Sequence, residues 1–146
     1  MLYDKPLVAG ALGAIATIPY EIFTRLLVAA RFGKYGVFEL TSLIITLDRP
    51  TFLLGAVMTF VVGGFSALLF YYGLKKLGPD HLIIKSICFS LLIWVILEIL
   101  FVWLLEGPQL ISPRPIADYY LQMLGSALFG VTLGLLFKRY LFPGRA

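Results

Sequence analysis

The sequence predicts an all-α, polytopic membrane protein: a single domain with four transmembrane helices and one short interfacial helix. Three observations carry the prediction. Four long apolar stretches fill nearly all of the chain. Only 14% of its 146 residues are charged against 60% hydrophobic, and the mean hydropathy is +0.95, which leaves too little polar surface to coat a soluble globule. The basic residues gather at the ends of the apolar stretches, as expected where anionic lipid headgroups meet a helix.

A transmembrane helix needs about twenty mostly apolar residues to cross a hydrocarbon core of roughly 30 Å. The first stretch runs from Pro6 to about Ala30, with Pro6 suited to a first helical turn. Pro19 inside it should kink the helix or loosen its hydrogen-bond ladder. Although this stretch begins like the core of a signal peptide, Lys5 alone precedes it and Glu21 and Arg25 follow, so it reads as a retained helix. The second, Thr51 to Leu74, carries no charge, and Pro50 suits its first turn. The third runs from about Leu82 to Leu105, with Asp80 as the expected N-cap, and the fourth from about Ile116 to Leu141 behind Pro113 and Pro115.

Between the first two stretches, Glu39, Ser42 and Thr46 recur at helical spacing among apolar residues from 37 to 47. That is an amphipathic helix too short to span. It is expected to lie along the outer interface, with a lid over the bundle mouth as the alternative.

Four crossings put Lys5, Lys75, Lys76, Lys85, Lys138, Arg139 and Arg145 on one side. Arg25, Arg31, Lys34, Arg49 and Arg114 fall towards the other. The excess of positive charge on the first side places both termini in the cytoplasm. The net charge of +4 is accounted for by this lipid-facing pattern, so nucleic acid is not expected as a partner. Cys88 is the only cysteine, which excludes an intramolecular disulfide; it reads as a small packed hydrophobe.

Two acidic residues, Glu21 and Glu98, interrupt the apolar stretches, and a carboxylate inside a bilayer is costly enough to mark a site. At about 1.5 Å per residue, Glu21 lies roughly 24 Å and Glu98 roughly 20 Å from the cytoplasmic end. By the same rise, Gln122 and Thr59 lie about 12 Å in from the outer end. All four helices therefore contribute a polar group to one layer, which Tyr20, Tyr119, Tyr120 and Asp118 extend outward. Arg25 follows Glu21 by four residues and can pair with it along one helix face. Glu98 has no basic residue within a turn. It must borrow Arg25, accept hydrogen bonds from hydroxyls, contact water or carry a proton.

The candidate ligand- or ion-binding residues are therefore Glu21, Arg25, Glu98, Gln122, Thr59, Asp118 and Tyr20. No metal ligand set and no cofactor is expected. Catalytic and phosphate-binding motifs are absent, and His81 reads as a solvated neighbour of Asp80. Trp103 suits the outer interface, whereas Trp94 should pack inside or face acyl chains. Small residues mark helix-packing faces: Ser126, Gly130 and Gly134 on the fourth helix, Gly10 on the first and Gly63 on the second. These faces pack within the bundle or, for the fourth helix, against a second copy or another membrane subunit.

The run Gly64-Phe65-Ser66-Ala67-Leu68-Leu69-Phe70-Tyr71-Tyr72-Gly73-Leu74-Lys75-Lys76 resembles the second helix of YqhR-like bacterial membrane proteins. Leu92-Ile93-Trp94 and the glycine-spaced fourth helix are similar in layout. The resemblance implies a small four-helix protein of a bacterial plasma membrane and carries no activity or site residues with it. Three functions fit these observations. One is an outward-facing intramembrane site for a cation, proton or small solute, as in a transport or channel subunit. Another is a scaffold whose polar layer only locks the helices, and a third is an intramembrane lipid-modifying enzyme.

Overall fold

The computed structural model describes residues 4–144, so Arg145 of the charge pattern lies outside the described residues. Helix α1 (Lys5–Ala29) starts at Asp4, whose carboxylate accepts the Leu7 amide at 3.2 Å, and continues unbroken through Pro19. Helix α2 (Val37–Thr46) follows a short loop. Helix α3 (Phe52–Leu77) ends three residues later than its apolar run, because Lys75 and Lys76 suit the negative end of the helix dipole. Lys85 then binds the exposed carbonyls of Leu77 and Gly78, each at 3.0 Å. Four helices, counting the extension of α4 described below, are long and apolar enough to cross a membrane.

The third apolar stretch forms one continuous helical span, Leu82–Glu106, close to its expected bounds, but α4 (Leu82–Phe101) widens into a π-helical turn over Val102–Glu106, where the Gly107 amide reaches back to the Val102 carbonyl at 2.7 Å. Two expectations need correction. Asp80 does not cap α4; the capping position belongs to His81, held in the left-handed region at φ 53°. Cys88 faces outward from α4 rather than packing inside.

Helix α5 (Ile116–Tyr140) is the hub. It packs along both α1 and α4, α1 packs along α3, and α3 and α4 scarcely touch. The order in space is therefore α3, α1, α5, α4, a curved row whose two ends face each other across a gap. At the end that holds both termini, Leu74, Leu82, Leu133 and Phe137 close the row into an apolar core.

Small residues set the spacing of this row. Ser86 donates to the Gly130 carbonyl at 2.7 Å and Ser126 to the Ser90 carbonyl at 2.8 Å, tying α4 to α5. A Cβ on Gly130 would stand 2.7 Å from the Ile87 backbone, and one on Gly134 would stand 3.0 Å from that of Ile83. The small face of α5 is thus occupied by α4 of the same chain. On the other flank, Gly63 lies against Thr17 and Gly13, while Gly10 sits at ordinary contact distance from Leu68. Gly130→Ala should lower stability by about 1–3 kcal/mol, because overpacking against backbone exceeds the roughly 1 kcal/mol gained in helix propensity. Gly73→Ala, with nothing within 4 Å of the new methyl, supplies the control. Thermal melts in detergent in which the two variants matched would refute this packing.

Helix α2, expected along the outer interface or as a lid over the bundle mouth, plugs the opposite end of the bundle. Val37, Phe38, Leu40, Thr41, Ser42 and Leu43 are all buried. The Phe38 carbonyl lies so close to Gly55 of α3 that any side chain there would collide with it. The Phe38 ring meets Phe52 and Phe60 at 5.4 and 5.7 Å. An amphipathic pattern reveals an apolar face but not what covers it, and here the face turns into the gap between the long helices.

Candidate functional site

Two charge networks and a polar-walled cavity occupy the α2 end of the bundle. The first network joins α1 to α2. Arg25 donates to Glu21 at 2.6 Å along the α1 face and reaches Glu39 of α2 at 3.5 Å. The second oxygen of Glu21 accepts the Phe38 amide at 3.0 Å, and the Thr24 hydroxyl accepts the Val37 amide at 3.1 Å. Both acceptors serve the first turn of α2, whose amides lack partners within their own helix and whose dipole favours a negative charge. Glu21 is therefore an N-terminal cap supplied by a different helix. It does not line the cavity.

The second network centres on Arg114. Its side chain is fully buried and contacts three carboxylates: Glu98 at 2.5 Å, Glu106 at 2.6 Å and Asp118 at 3.4 Å. The guanidinium also sits 4.5 Å from the Tyr119 ring centre and 5.6 Å from that of Phe101. Burial alone would lower the guanidinium pKa, but hydrogen bonds and charges from Glu98 and Glu106 outweigh it and raise the pKa above the usual arginine value.

Each acid has a further partner. The Trp94 indole donates to Glu98 at 3.2 Å, the Tyr119 hydroxyl to Glu106 at 2.7 Å, and the Lys34 amide to Asp118 at 3.0 Å. The π-helical turn brings Glu106 round to Arg114, and prolines on both sides of Arg114 hold its backbone extended.

Glu98 thus draws its counter-charge from Arg114 and not from Arg25. Arg114 carries no signal of depth in the sequence, where it reads as one of several outer-side basic residues. The available hint was the Pro-Arg-Pro frame, with acids eight residues before it and four after.

The cavity lies in the gap between α3 and α4 and holds about 80 Å³, room for several waters or a small organic group. Tyr20, Thr59, Glu98 and Gln122 all line it, one residue from each long helix. Leu40, Thr41 and Ile44 of α2 close its end, and Ser90, Trp94 and Leu97 of α4 form one side. Tyr20 donates to the Gln122 side-chain oxygen at 3.0 Å, and the Gln122 amide donates to the Tyr35 carbonyl at 3.1 Å. Arg25 and Asp118 stand off the wall, Arg25 towards α2 and Asp118 towards residues 34–35 and Arg114. Among the described residues, Thr59 bears the one buried side-chain polar atom without a hydrogen-bond partner, and Thr59 is one of the residues that line this cavity. Buried hydroxyls are nearly always bonded, so this one marks a place for a ligand or water.

Set against protein-family models, curated proteins and solved structures, the chain matches none. The fold defines an all-helical protein with four helices long and apolar enough to cross a membrane, and the site is read from its geometry alone.

Proposed function

We propose that this protein binds a small solute with a polar head within the membrane, in the cavity between α3 and α4, as a transport or solute-binding subunit. The observation that supports it is the unpartnered Thr59 hydroxyl, on a residue that lines a space walled by all five helices together with the Glu98 carboxyl. In this reading the solute enters sideways from the lipid between α3 and α4, which scarcely touch. The basic end of the bundle faces the cytoplasm of a bacterial plasma membrane, so the carboxylate-rich end faces outward. The helix-locking reading suits Glu21 better, since its oxygens are engaged by Arg25 and α2 and it does not line the cavity.

Thr59 provides the test. Thr59→Val keeps the shape and removes an unsatisfied hydroxyl, so the ligand-free protein should gain about 1 kcal/mol. Thr59→Phe fills the space. Native mass spectrometry from mild detergent should find a small molecule on wild-type protein that Thr59→Phe has lost. A wild-type chain that always emerges bare, together with a destabilised Thr59→Val, would reject the proposal.

A further inference from the structure

The hydrogen-bonding state of the cavity wall identifies what kind of solute suits it. The Thr17 hydroxyl donates to the Ala14 carbonyl at 2.6 Å, Thr41 to the Val37 carbonyl at 2.6 Å, and Ser90 to the Ile87 carbonyl at 2.9 Å. Ser126 and Tyr20 donate as described above, and so do the Gln122 amide and the Trp94 indole. Apart from the hydroxyls of Thr59 and Ser66, each side-chain donor group of the wall makes at least one bond inside the protein. Those two hydroxyls can accept as well as donate, and with the Glu98 carboxyl and the other wall oxygens they leave acceptor sites in excess, which suits a ligand that brings hydrogens.

Charge points the same way. Arg114 with Glu98, Glu106 and Asp118 carries a formal charge of minus two, and a buried excess of charge is stabilised by a counter-ion. A metal ion is a poor match. The three carboxylates around Arg114 close on its guanidinium, and among the described residues no three acidic, histidine or cysteine side chains are placed to hold a metal ion. An organic cation needs no such convergence. It needs one carboxylate, neutral acceptors and apolar or aromatic surface, and Glu98, Trp94 and Phe101 of α4 with Thr59 of α3 supply these around the cavity.

Building on the solute-binding reading above, we infer that the solute is an amphipathic amine in its protonated form. Its ammonium group donates to Glu98 and Thr59, and its hydrocarbon body leaves between α3 and α4 towards the lipid. A cavity of about 80 Å³ holds the head and the first carbons of such a molecule, and the open side takes the rest.

The experiment compares three probes of one length and different heads: octylammonium, octanol and octanoate. Trp103 is exposed on the π-helical turn, so Trp103→Phe leaves Trp94, beside Glu98, as the sole tryptophan. In lipid nanodiscs at neutral pH, with empty nanodiscs subtracted, octylammonium should shift Trp94 emission saturably. Its half-saturation should lie about tenfold below that of octanol, the worth of one charge-assisted hydrogen bond. Glu98→Gln in the same background should bring octylammonium and octanol together. The wild-type preference decides the matter even if that variant fails to fold. Equal binding of octanol leaves a solute site and overturns the amine assignment. Tighter binding of octanoate overturns it as well and shifts attention to Arg114. No saturable response to any probe overturns the amine and the solute site together.

Discussion

Arg114→Ala should cost more stability than any other single side-chain truncation in this protein. The substitution removes the guanidinium that touches Glu98, Glu106 and Asp118 and leaves three largely buried carboxylates without their counter-charge. Breaking a buried ion pair from one side typically costs about 3–5 kcal/mol, because the abandoned charge keeps its desolvation penalty. In a chain of this size that corresponds to a fall in melting temperature of roughly 10 °C or more. Arg114→Lys should recover only part of the loss. One ammonium presents a point charge, whereas the planar guanidinium reaches three acids at once and lies against the Tyr119 ring. Adding Glu98→Gln to Arg114→Ala should restore some stability by removing one of the stranded charges. Melting curves in detergent read all three variants. A drop below about 1 kcal/mol in Arg114→Ala would mean that water reaches the cluster and that it is no buried network.

That central role was invisible in the sequence for a physical reason. Hydropathy gives the length and depth of each span, so the four long helices and the shared level of Glu98, Gln122 and Thr59 were legible from counting residues, whereas Glu21, the α1 residue expected with them, turns to α2 and Tyr20 lines the cavity instead. The amphipathic spacing of residues 37–47 likewise revealed α2. Hydropathy says nothing of which loop folds inward. Arg114 lies sixteen residues from Glu98, and their contact depends on a π-helical turn and a proline-framed loop doubling back between α4 and α5. The depth of α2 was hidden in the same way. It depends on Gly55 admitting the Phe38 backbone, whereas Gly55 read as just one small residue in an apolar run. The missing partner of Thr59 follows from where the helices fail to touch, which no local pattern encodes.

Glu21→Ala should release α2 while leaving the four long helices packed. The carboxylate accepts from Arg25 and caps the Phe38 amide, so the truncation strands one buried amide and takes an anion from the positive end of the α2 dipole. The ion pair itself contributes little to the loss, because the Arg25 side chain is 45% exposed and can turn to Glu39 or water. The amide and the dipole together are worth about 2–3 kcal/mol, comparable with the local opening energies that separate mobile segments from a core. Amide exchange between Val37 and Leu43 should therefore rise by about one to two orders of magnitude, with α5 unchanged. Glu21→Gln should lie between, since its oxygen can still accept from Phe38. Because Leu40, Thr41 and Ile44 close the cavity, a solute bound there stabilises the docked α2, and the linkage runs both ways. A saturating solute should thus slow exchange in Glu21→Ala, and the variant should bind that solute more weakly by the factor it loses in α2 protection. Wild-type exchange rates throughout residues 37–43 of Glu21→Ala would show that Phe38 and Leu43 hold α2 by packing alone, and the capping role of Glu21 would be wrong.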